Sequence, residues 1–392
     1  MAEQVTVREV MAGLEVVAPL GLAEGWDKVG LQVGDPDAVV SRGLLCIDLT
    51  EAVVAEALEA GCGLVVAYHP PIFGPLTGLV EGAGSSWKAR ALVAAVRAGL
   101  AVYSPHTALD AVRGGVNDWL CGGLGEGVSE PIERTVGGRD EYKVVVYVPA
   151  AEVEVVRGAM TDAGAGGIGK YSGCSFGVAG EGTFEPGEGA RPAVGEVGRF
   201  ERVAEVRLEM ICGGRELPGV LSAARGAHSY EEPAVDVFRL EAEPVVGAEA
   251  PGSGRLLRLA EAVTVGVLAE RVKARLGVER VKVAGAGGVD GSAEPGGGDP
   301  RALAGAAVRT VAVCVGAGGK LFEGVEADAY VTGEMQHHQV LDLAERGKGV
   351  VLAGHTQTER PYLPVYRERL CGAVDGVEWR VSEKDRAPLR FC

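Results

Sequence analysis

Short runs of apolar residues that alternate with helical patterns are the feature that most constrains the fold. Three runs, at 43–50, 63–76 and 100–112, begin with almost unbroken apolar residues, and helix-period segments at 51–61 and 85–99 separate them. Strands that are buried on both faces are apolar throughout, and strand–helix alternation builds a parallel sheet covered by helices. The sequence therefore predicts an α/β protein.

The length and the pattern together predict three domains. A chain of 392 residues exceeds what one hydrophobic core usually serves. Near residue 135 the sequence pattern changes. Later strands alternate apolar and polar residues, as in RVAEVRLEMIC at 202–212, which is typical of a strand with one exposed face. We predict an N-terminal α/β lobe at 1–135, an inserted α+β domain at 136–248 and a C-terminal α/β lobe at 249–392.

Three segments of the C-terminal lobe carry distinct local predictions. Residues 255–275 are predicted to be helical. Residues 284–307 are a low-complexity Gly/Ala/Pro stretch with few large side chains, which is typical of a flexible surface loop. The glycine-rich GAGGK at 316–320 follows an apolar run, but Leu321 stands where a phosphate-binding loop needs Ser or Thr. A tight turn facing a crevice is the preferred interpretation.

Composition excludes several classes of protein. The net charge of −16 argues against a general nucleic-acid or anionic-membrane surface. No apolar run approaches the roughly 20 residues that a membrane span requires. The eight cysteines show no CxxC spacing, and the N-terminus resembles neither a secretory nor an organelle signal. We expect a reduced cytoplasmic protein, with the nucleus as an alternative, that contacts neither nucleic acid nor membrane directly.

Side chains that bind metals cluster after predicted strands. Five of the six histidines lie on four such segments. These segments carry Tyr68 with His69, His106 with Asp110, Glu334 with His337 and His338, and His355 with Glu359. Open α/β sheets place ligands beyond the carboxyl ends of their strands, and imidazole with carboxylate suits a divalent transition metal. The alternative is that these histidines cap helices or fill cores.

The last of these segments, GHTQTER, is also predicted to start a helix. Thr356 or Thr358 has the side chain of a helix cap. His355 and Glu359 are four residues apart, so on a helix they converge on one face. The alternative is an ordinary His–Glu pair at the surface.

Seven segments, in order, resemble one known family. They are EGWDKVGLQVGDP, AYHPPIFGPL, VYSPHTALDAVRGGVNDWL, GTFEPGEGARPAVGEVG, AHSYEEPAVDV, DAYVTGEMQHH and GHTQTER. They look like the successive motifs of the NIF-three-like (Nif3) family, also called GTP cyclohydrolase 1 type 2-like, and particularly of its eukaryotic branch. The resemblance extends from about residue 5 to the C-terminus, without the loop at 284–307.

The resemblance implies an architecture. Two α/β lobes would form one core around a dinuclear metal site, and the inserted α+β domain would be PII/CutA-like. The subunits would assemble into a toroidal homohexamer, a dimer of trimers.

The resemblance also implies the metal ligands, namely His69, Asp110, His355 and Glu359, with Glu359 bridging two ions. Tyr68 stands where the bacterial pattern has a histidine. A phenol is a poor ligand near neutral pH because its pKa is about 10. We therefore expect one or two divalent ions per subunit. Zinc, manganese, iron and cobalt suit such ligands almost equally.

The predicted function is that of a metal-dependent hydrolase. A metal-activated water in a cleft between strand ends would attack a nucleotide or another small phosphorylated heterocycle. Glu334 and His338 are the predicted catalytic residues: either would act as general base or would orient the metal ligands. His106 and His337 would also orient the ligands. One alternative is a non-catalytic metal-binding scaffold or transcription-related regulator, with a transcriptional co-regulator as partner. Another is a metal chaperone.

Overall fold

The protein is described by a computed structural model that covers most of the chain. The described residues are 5–76, 78–80, 84–134, 141–168, 171–214, 216–240, 250–285 and 307–389. The predicted flexible loop at 284–307 therefore lies almost entirely outside them. The described residues divide into two compact units, unit 1 within 1–136 and 244–392, and unit 2 within 137–243. Unit 2 falls inside the range predicted for the inserted domain.

Unit 1 begins with an alternation of short strands and helices. Its first segment contains, in order, α1 (Val7–Val17), β1 (Gly30–Val33), β2 (Arg42–Cys46), α2 (Glu51–Glu59), β3 (Leu64–Ala67), α3 (Trp87–Arg97), β4 (Ala101–Ser104), α4 (His106–Ala111), α5 (Val116–Gly122), β5 (Gly127–Glu130) and β6 (Glu133–Arg134). The apolar runs that predicted strands correspond to β2, β3 and β4.

Unit 2 follows a β-α-β-β-α-β order. Its elements are β7 (Glu141–Pro149), α6 (Val153–Asp162), β8 (Phe176–Phe184), β9 (Glu201–Gly213), α7 (Leu217–Ala227) and β10 (Val235–Arg239). The strands pair antiparallel in the order β10-β7-β9-β8, which is the ferredoxin-like connectivity. Alternate residues of β7 and β9, such as Val146 and Leu208, pack with Val156 and Val220 of the two helices. The predicted α+β character is confirmed.

The second segment of unit 1 completes the chain. It contains β11 (Gly252–Ser253), β12 (Arg255–Val263), α8 (Val265–Leu276), β13 (Lys282–Ala284), β14 (Val308–Ala317), β15 (Ala329–Glu334), α9 (His337–Glu345), β16 (Gly349–Leu352), α10 (His355–Glu359), α11 (Leu363–Ala373) and β17 (Glu378–Val381). Within the described residues, no helix has both the length and the apolar character that crossing a bilayer requires.

Two mixed sheets organise unit 1. The first has the order β1-β4-β3-β2-β17 and the second the order β13-β16-β15-β14-β12-β5. β2, β3, β4 and β17 pair in parallel, as do β14, β15 and β16. Each sheet takes an edge strand from the other segment of the chain, and apolar side chains of both sheets share one core. The predicted α/β class is confirmed.

The prediction of helices throughout 255–275 is wrong in its first half. Residues Arg255–Val263 form a strand, β12, with β14 on one side and β5 on the other. Burial alternates along the strand: Leu257 and Leu259 are buried, and Arg258 between them is exposed. Leu, Ala and Glu favour helices, but pairing with two neighbouring strands outweighs that propensity. The helical part begins at α8, capped by Thr264.

Candidate metal centre

Two imidazoles and one carboxylate converge at the carboxyl ends of strands in unit 1. His69 follows β3, and His355 and Glu359 lie on α10 after β16. Their ligand atoms all lie within 4.8 Å of one another. Glu359 Oε2 is 3.4 Å from His69 Nε2, and Glu359 Oε1 is 3.5 Å from His355 Nε2. Tetrahedral coordination with bonds of about 2.0–2.2 Å separates neighbouring ligands by about 3.4 Å, so the spacing suits a shared cation.

The helix α10 starts at His355, before both of the threonines that were predicted to cap it. Its N-cap is Gly354, with φ of 93°, so the prediction that Thr356 or Thr358 caps this helix is wrong. The Thr358 hydroxyl instead donates to the His355 carbonyl and accepts from the Gly316 amide. Because His355 and Glu359 are one turn apart, their side chains share a face.

Gly316 allows the backbone to approach this pair of side chains closely. It lies near the end of β14 with φ of +65°. A Cβ at this position would stand 2.7 Å from Glu359 Oε1 and 3.3 Å from His355 Nε2. The GAGGK stretch therefore holds a glycine where a larger residue would collide with the carboxylate.

The Glu359 carboxylate is buried and faces the imidazoles of His69 and His355. Its residue is 4% exposed, and its Oε2 has no hydrogen-bond partner among the described residues. A buried carboxylate is costly unless it is paired or coordinates a metal. Two imidazole nitrogens and this oxygen form a donor set that suits a divalent transition ion. The residues present therefore fit a bound metal.

Each of the two imidazoles also contacts another carboxylate through its Nδ1 atom. His69 Nδ1 donates to Asp48 Oδ1 at 3.0 Å, and His355 Nδ1 donates to Glu334 Oε1 at 2.9 Å. These bonds turn both Nε2 atoms toward Glu359, as in carboxylate–histidine–metal arrangements. Asp48 was missed by the sequence analysis. The signal was present, because Asp48 also follows a strand, β2, at its carboxyl end.

The same carboxylates set the protonation of His69 when no metal is bound. Burial alone would lower the pKa of His69, but the hydrogen bond to Asp48 and the charges of Asp48 and Glu359 raise it to about 10. The metal-free site therefore holds an imidazolium between two carboxylates. A metal ligand must be a neutral imidazole, so metal binding has to displace this proton.

Tyr68 and Asp110 form a separate pair beside this group. The Tyr68 hydroxyl, in a residue that is 2% exposed, donates a short hydrogen bond to Asp110 Oδ1. Burial raises the pKa of Tyr68 well above its ordinary value, and burial also raises the pKa of Asp110 to about 6. The phenol stays protonated. Asp110 accepts a hydrogen bond from it and is not one of the three residues that converge, so its role as a metal ligand stays a prediction.

The other predicted histidines occupy different surroundings. His106 Nδ1 donates to Asp27 Oδ1 at 2.8 Å, and its ring lies 5.4 Å from that of His69. His337 and His338 are exposed at the start of α9, and their rings contact each other at 5.5 Å. Neither belongs to the converging group, so a catalytic role for His338 and an orienting role for His337 stay predictions.

Asn117 connects the two segments of unit 1 next to the site. It is 1% exposed, its Oδ1 accepts from the Val315 amide at 3.0 Å, and its Nδ2 donates to the Asp110 carbonyl at 3.1 Å. It thereby fixes the end of α4 to the end of β14. α5 begins at Val116 with Gly115 as its N-cap, so Asn117 lies in the first turn and its side chain does not cap the helix. No signal in the sequence indicated this bridging role.

The fold and the site define an α/β protein with a histidine–carboxylate group suited to a divalent metal at its strand ends. The chain belongs to the Duf34/NIF3 (NGG1p interacting factor 3) family, whose model matches residues 5–388. The family predicted from the seven motifs is thus confirmed.

Relatives match over most of their length. NIF3-like protein 1 of Rattus norvegicus is 32% identical over 387 residues, covering 98% of this chain and 92% of the relative. The GTP cyclohydrolase 1 type 2 homolog of Mycobacterium tuberculosis is 39% identical over 337 residues, covering 85% and 83%. The crystal structure of a Bacillus cereus protein related to NIF3 aligns over 100% of both chains, with 33% identity and a TM-score of 0.65.

Proposed function

We propose that this protein is a metal-dependent hydrolase that acts on a nucleotide or another small phosphorylated heterocycle. The observation that carries the proposal is the convergence of the His69 and His355 imidazoles on the buried Glu359 carboxylate, whose Oε2 makes no hydrogen bond within the described residues. The name of the mycobacterial relative, a GTP cyclohydrolase 1 type 2 homolog, supports the substrate class. No catalysis follows from the fold alone.

Some side chains of the site would hold the metal, and another would transfer a proton. A bound divalent ion would supply a water that is activated near neutral pH. His69 Nε2, His355 Nε2 and Glu359 would hold the ion, while Asp48 and Glu334 keep the imidazoles in orientation. The Glu334 side chain is 62% exposed and also contacts His355, so it can exchange a proton with solvent. We assign it the general-base role.

The Tyr68–Asp110 pair supports a site that binds a single ion per subunit. A protonated phenol offers no ligand, and Asp110 already accepts its hydrogen bond. Zinc, manganese, iron and cobalt all suit this set of ligands.

A nucleotide panel tests the activity. The metal-loaded protein is expected to hydrolyse at least one ring-bearing nucleotide, and Glu359→Gln is expected to lose about a hundredfold or more of that rate, because it removes a negatively charged ligand. Glu345→Gln, at the exposed end of α9, is the control and should keep the full rate. A wild type that is inactive on every nucleotide, or a fully active Glu359→Gln, would refute the proposal.

A non-catalytic metal-binding scaffold is the second candidate. The Tyr68–Asp110 pair favours this candidate, because Tyr68 replaces a histidine that would otherwise bind metal. A transcriptional co-regulator would be its partner, in keeping with the family description as an interacting factor. Partner binding that is unchanged in Glu359→Gln, with no hydrolysis by wild type, would support the scaffold. A metal chaperone, a homohexameric assembly and a cytoplasmic location stay predictions, and light scattering would measure the assembly.

A further inference from the structure

Two aromatic side chains stand exposed beside the candidate metal centre. Trp26 is 56% exposed and Phe73 is 49% exposed. Their ring centroids are 5.9 Å apart and their planes are tilted by 57°, so they form two walls of a corner and leave ring faces open. Trp26 also contacts the His106 ring at 6.1 Å, and His106 in turn contacts His69. The ring of His106 thus connects this open corner to the imidazole of His69, a candidate metal ligand.

The backbone beneath the indole is firmly held. The side chain of Asp27, the next residue, is fully buried. It accepts hydrogen bonds from His106 Nδ1 at 2.8 Å, from the Thr107 amide at 3.1 Å and from the Lys28 amide at 2.7 Å. A ligand that stacks on a side chain anchored in this way has less conformational entropy to overcome. Trp26 is about half exposed although Asp27 fixes its backbone, so packing in the hydrophobic core does not explain its position.

Backbone strain marks the same place independently. His106 has φ of 33° and is the one non-glycine residue with positive φ among the described residues. Such a conformation is unfavourable and persists when the surroundings enforce it, often at ligand-binding sites. Here the Asp27 carboxylate that holds His106 also anchors the segment bearing Trp26.

We propose that Trp26 and Phe73 form the subsite for the planar heteroaromatic ring of the ligand. This inference rests on the proposed function and names the part of the substrate that is recognised. The ring stacks on the exposed indole face with an edge against Phe73, and its polar edge points toward His69 and Glu359. Stacking of this kind tolerates different bases, because every base has a π-face. The expected ligands are therefore purine-like or pterin-like heterocycles as a class.

A small cavity also lies beside His69. Its volume is about 40 Å³, and Asp48, Trp87 and Lys88 are among the residues that line it. An engineered apolar cavity that binds benzene has a volume of roughly 150 Å³, so this cavity is too small to enclose a heteroaromatic ring. Trp87 is 46% exposed, so it provides a second half-exposed indole near the same histidine for comparison.

The test compares two tryptophan variants of the full-length, metal-loaded protein by isothermal titration calorimetry. Guanosine and adenosine supply a ring without phosphate, and ribose 5-phosphate supplies phosphate without the ring. Trp26→Leu is expected to weaken nucleoside binding about tenfold to hundredfold and to leave metal content and ribose 5-phosphate binding unchanged. Phe73→Leu should show a smaller loss, and Trp87→Leu should bind as wild type does.

Several results would overturn the assignment. Wild type that binds neither nucleoside, a loss in Trp87→Leu equal to that in Trp26→Leu, or an altered assembly mass in Trp26→Leu with unchanged binding would each do so. The last result would assign the aromatic corner to a subunit contact. Hydrolysis that depends on Glu359 but not on Trp26 would leave the proposed function standing alone. Nucleoside binding through Trp26 without any hydrolysis by wild type would support the subsite and refute the hydrolase.

Discussion

Glu359→Gln is expected to abolish specific metal binding while leaving the metal-free fold intact. The substitution preserves shape but removes the charge that faces both His69 Nε2 and His355 Nε2. An amide oxygen is a much weaker ligand for a divalent transition ion than a carboxylate. We expect the affinity to fall at least about a hundredfold, since even residues that only orient ligands contribute about 10–100-fold.

Unfolding with and without metal measures this effect. At a metal concentration of about 100 Kd, binding to the native state alone stabilises wild type by about 2.7 kcal/mol, whereas the variant should gain almost nothing. Without metal, the variant should still show a cooperative urea transition, which shows that it is folded. Equal stabilisation of both by metal would mean that the ion binds elsewhere.

Asp118→Asn is expected to cost unit 1 about 3–5 kcal/mol of unfolding free energy, because it leaves a buried charge without its partner. Arg255, at the start of β12, is fully buried. Its Nε lies 2.6 Å from Asp118 Oδ1, and a terminal nitrogen donates to Oδ2 at 3.1 Å. The Arg255 guanidinium also donates hydrogen bonds to the carbonyls of Gly252 and Ala111. Asparagine keeps the shape of Asp118 but removes the negative charge on α5.

An exposed pair of the same type is the control. Arg8 and Asp37 form an ion pair at 2.9 Å with side chains that are 58% and 72% exposed. Such surface pairs contribute roughly 0–1 kcal/mol, so Asp37→Asn should change urea stability little. If Asp118→Asn were no more destabilising than Asp37→Asn, the buried pair would not hold β12 to α5.

Local patterns predicted the elements that depend on local physics. The apolar runs of β2, β3 and β4 are buried on both faces, so their composition alone indicates strands in a parallel sheet. The polar residues that follow β3 and β16 predicted the strand ends at which His69 and His355 lie. The spacing of His355 and Glu359 gave their common helix face.

Non-local pairing explains what the sequence did not provide. β17 joins the first sheet beside β2, from which it is separated by almost the whole chain. The helical composition of β12 conceals a strand that exists because β14 and β5 flank it. The hydrogen bond from Tyr68 to Asp110 likewise joins residues that are 42 positions apart, one after β3 and one on α4. Such contacts are fixed by the assembled core and leave no periodic signal.

Metal content per subunit tests the central claim most directly. Elemental mass spectrometry would be applied to protein purified without chelator or added metal, with wild type, His355→Ala and Tyr68→His compared. The account predicts about one ion in wild type, loss in His355→Ala, and a rise toward two in Tyr68→His, where an imidazole replaces the phenol. Two ions in wild type would show that Tyr68 does not restrict the site. The absence of metal from all three proteins would contradict the metal centre itself.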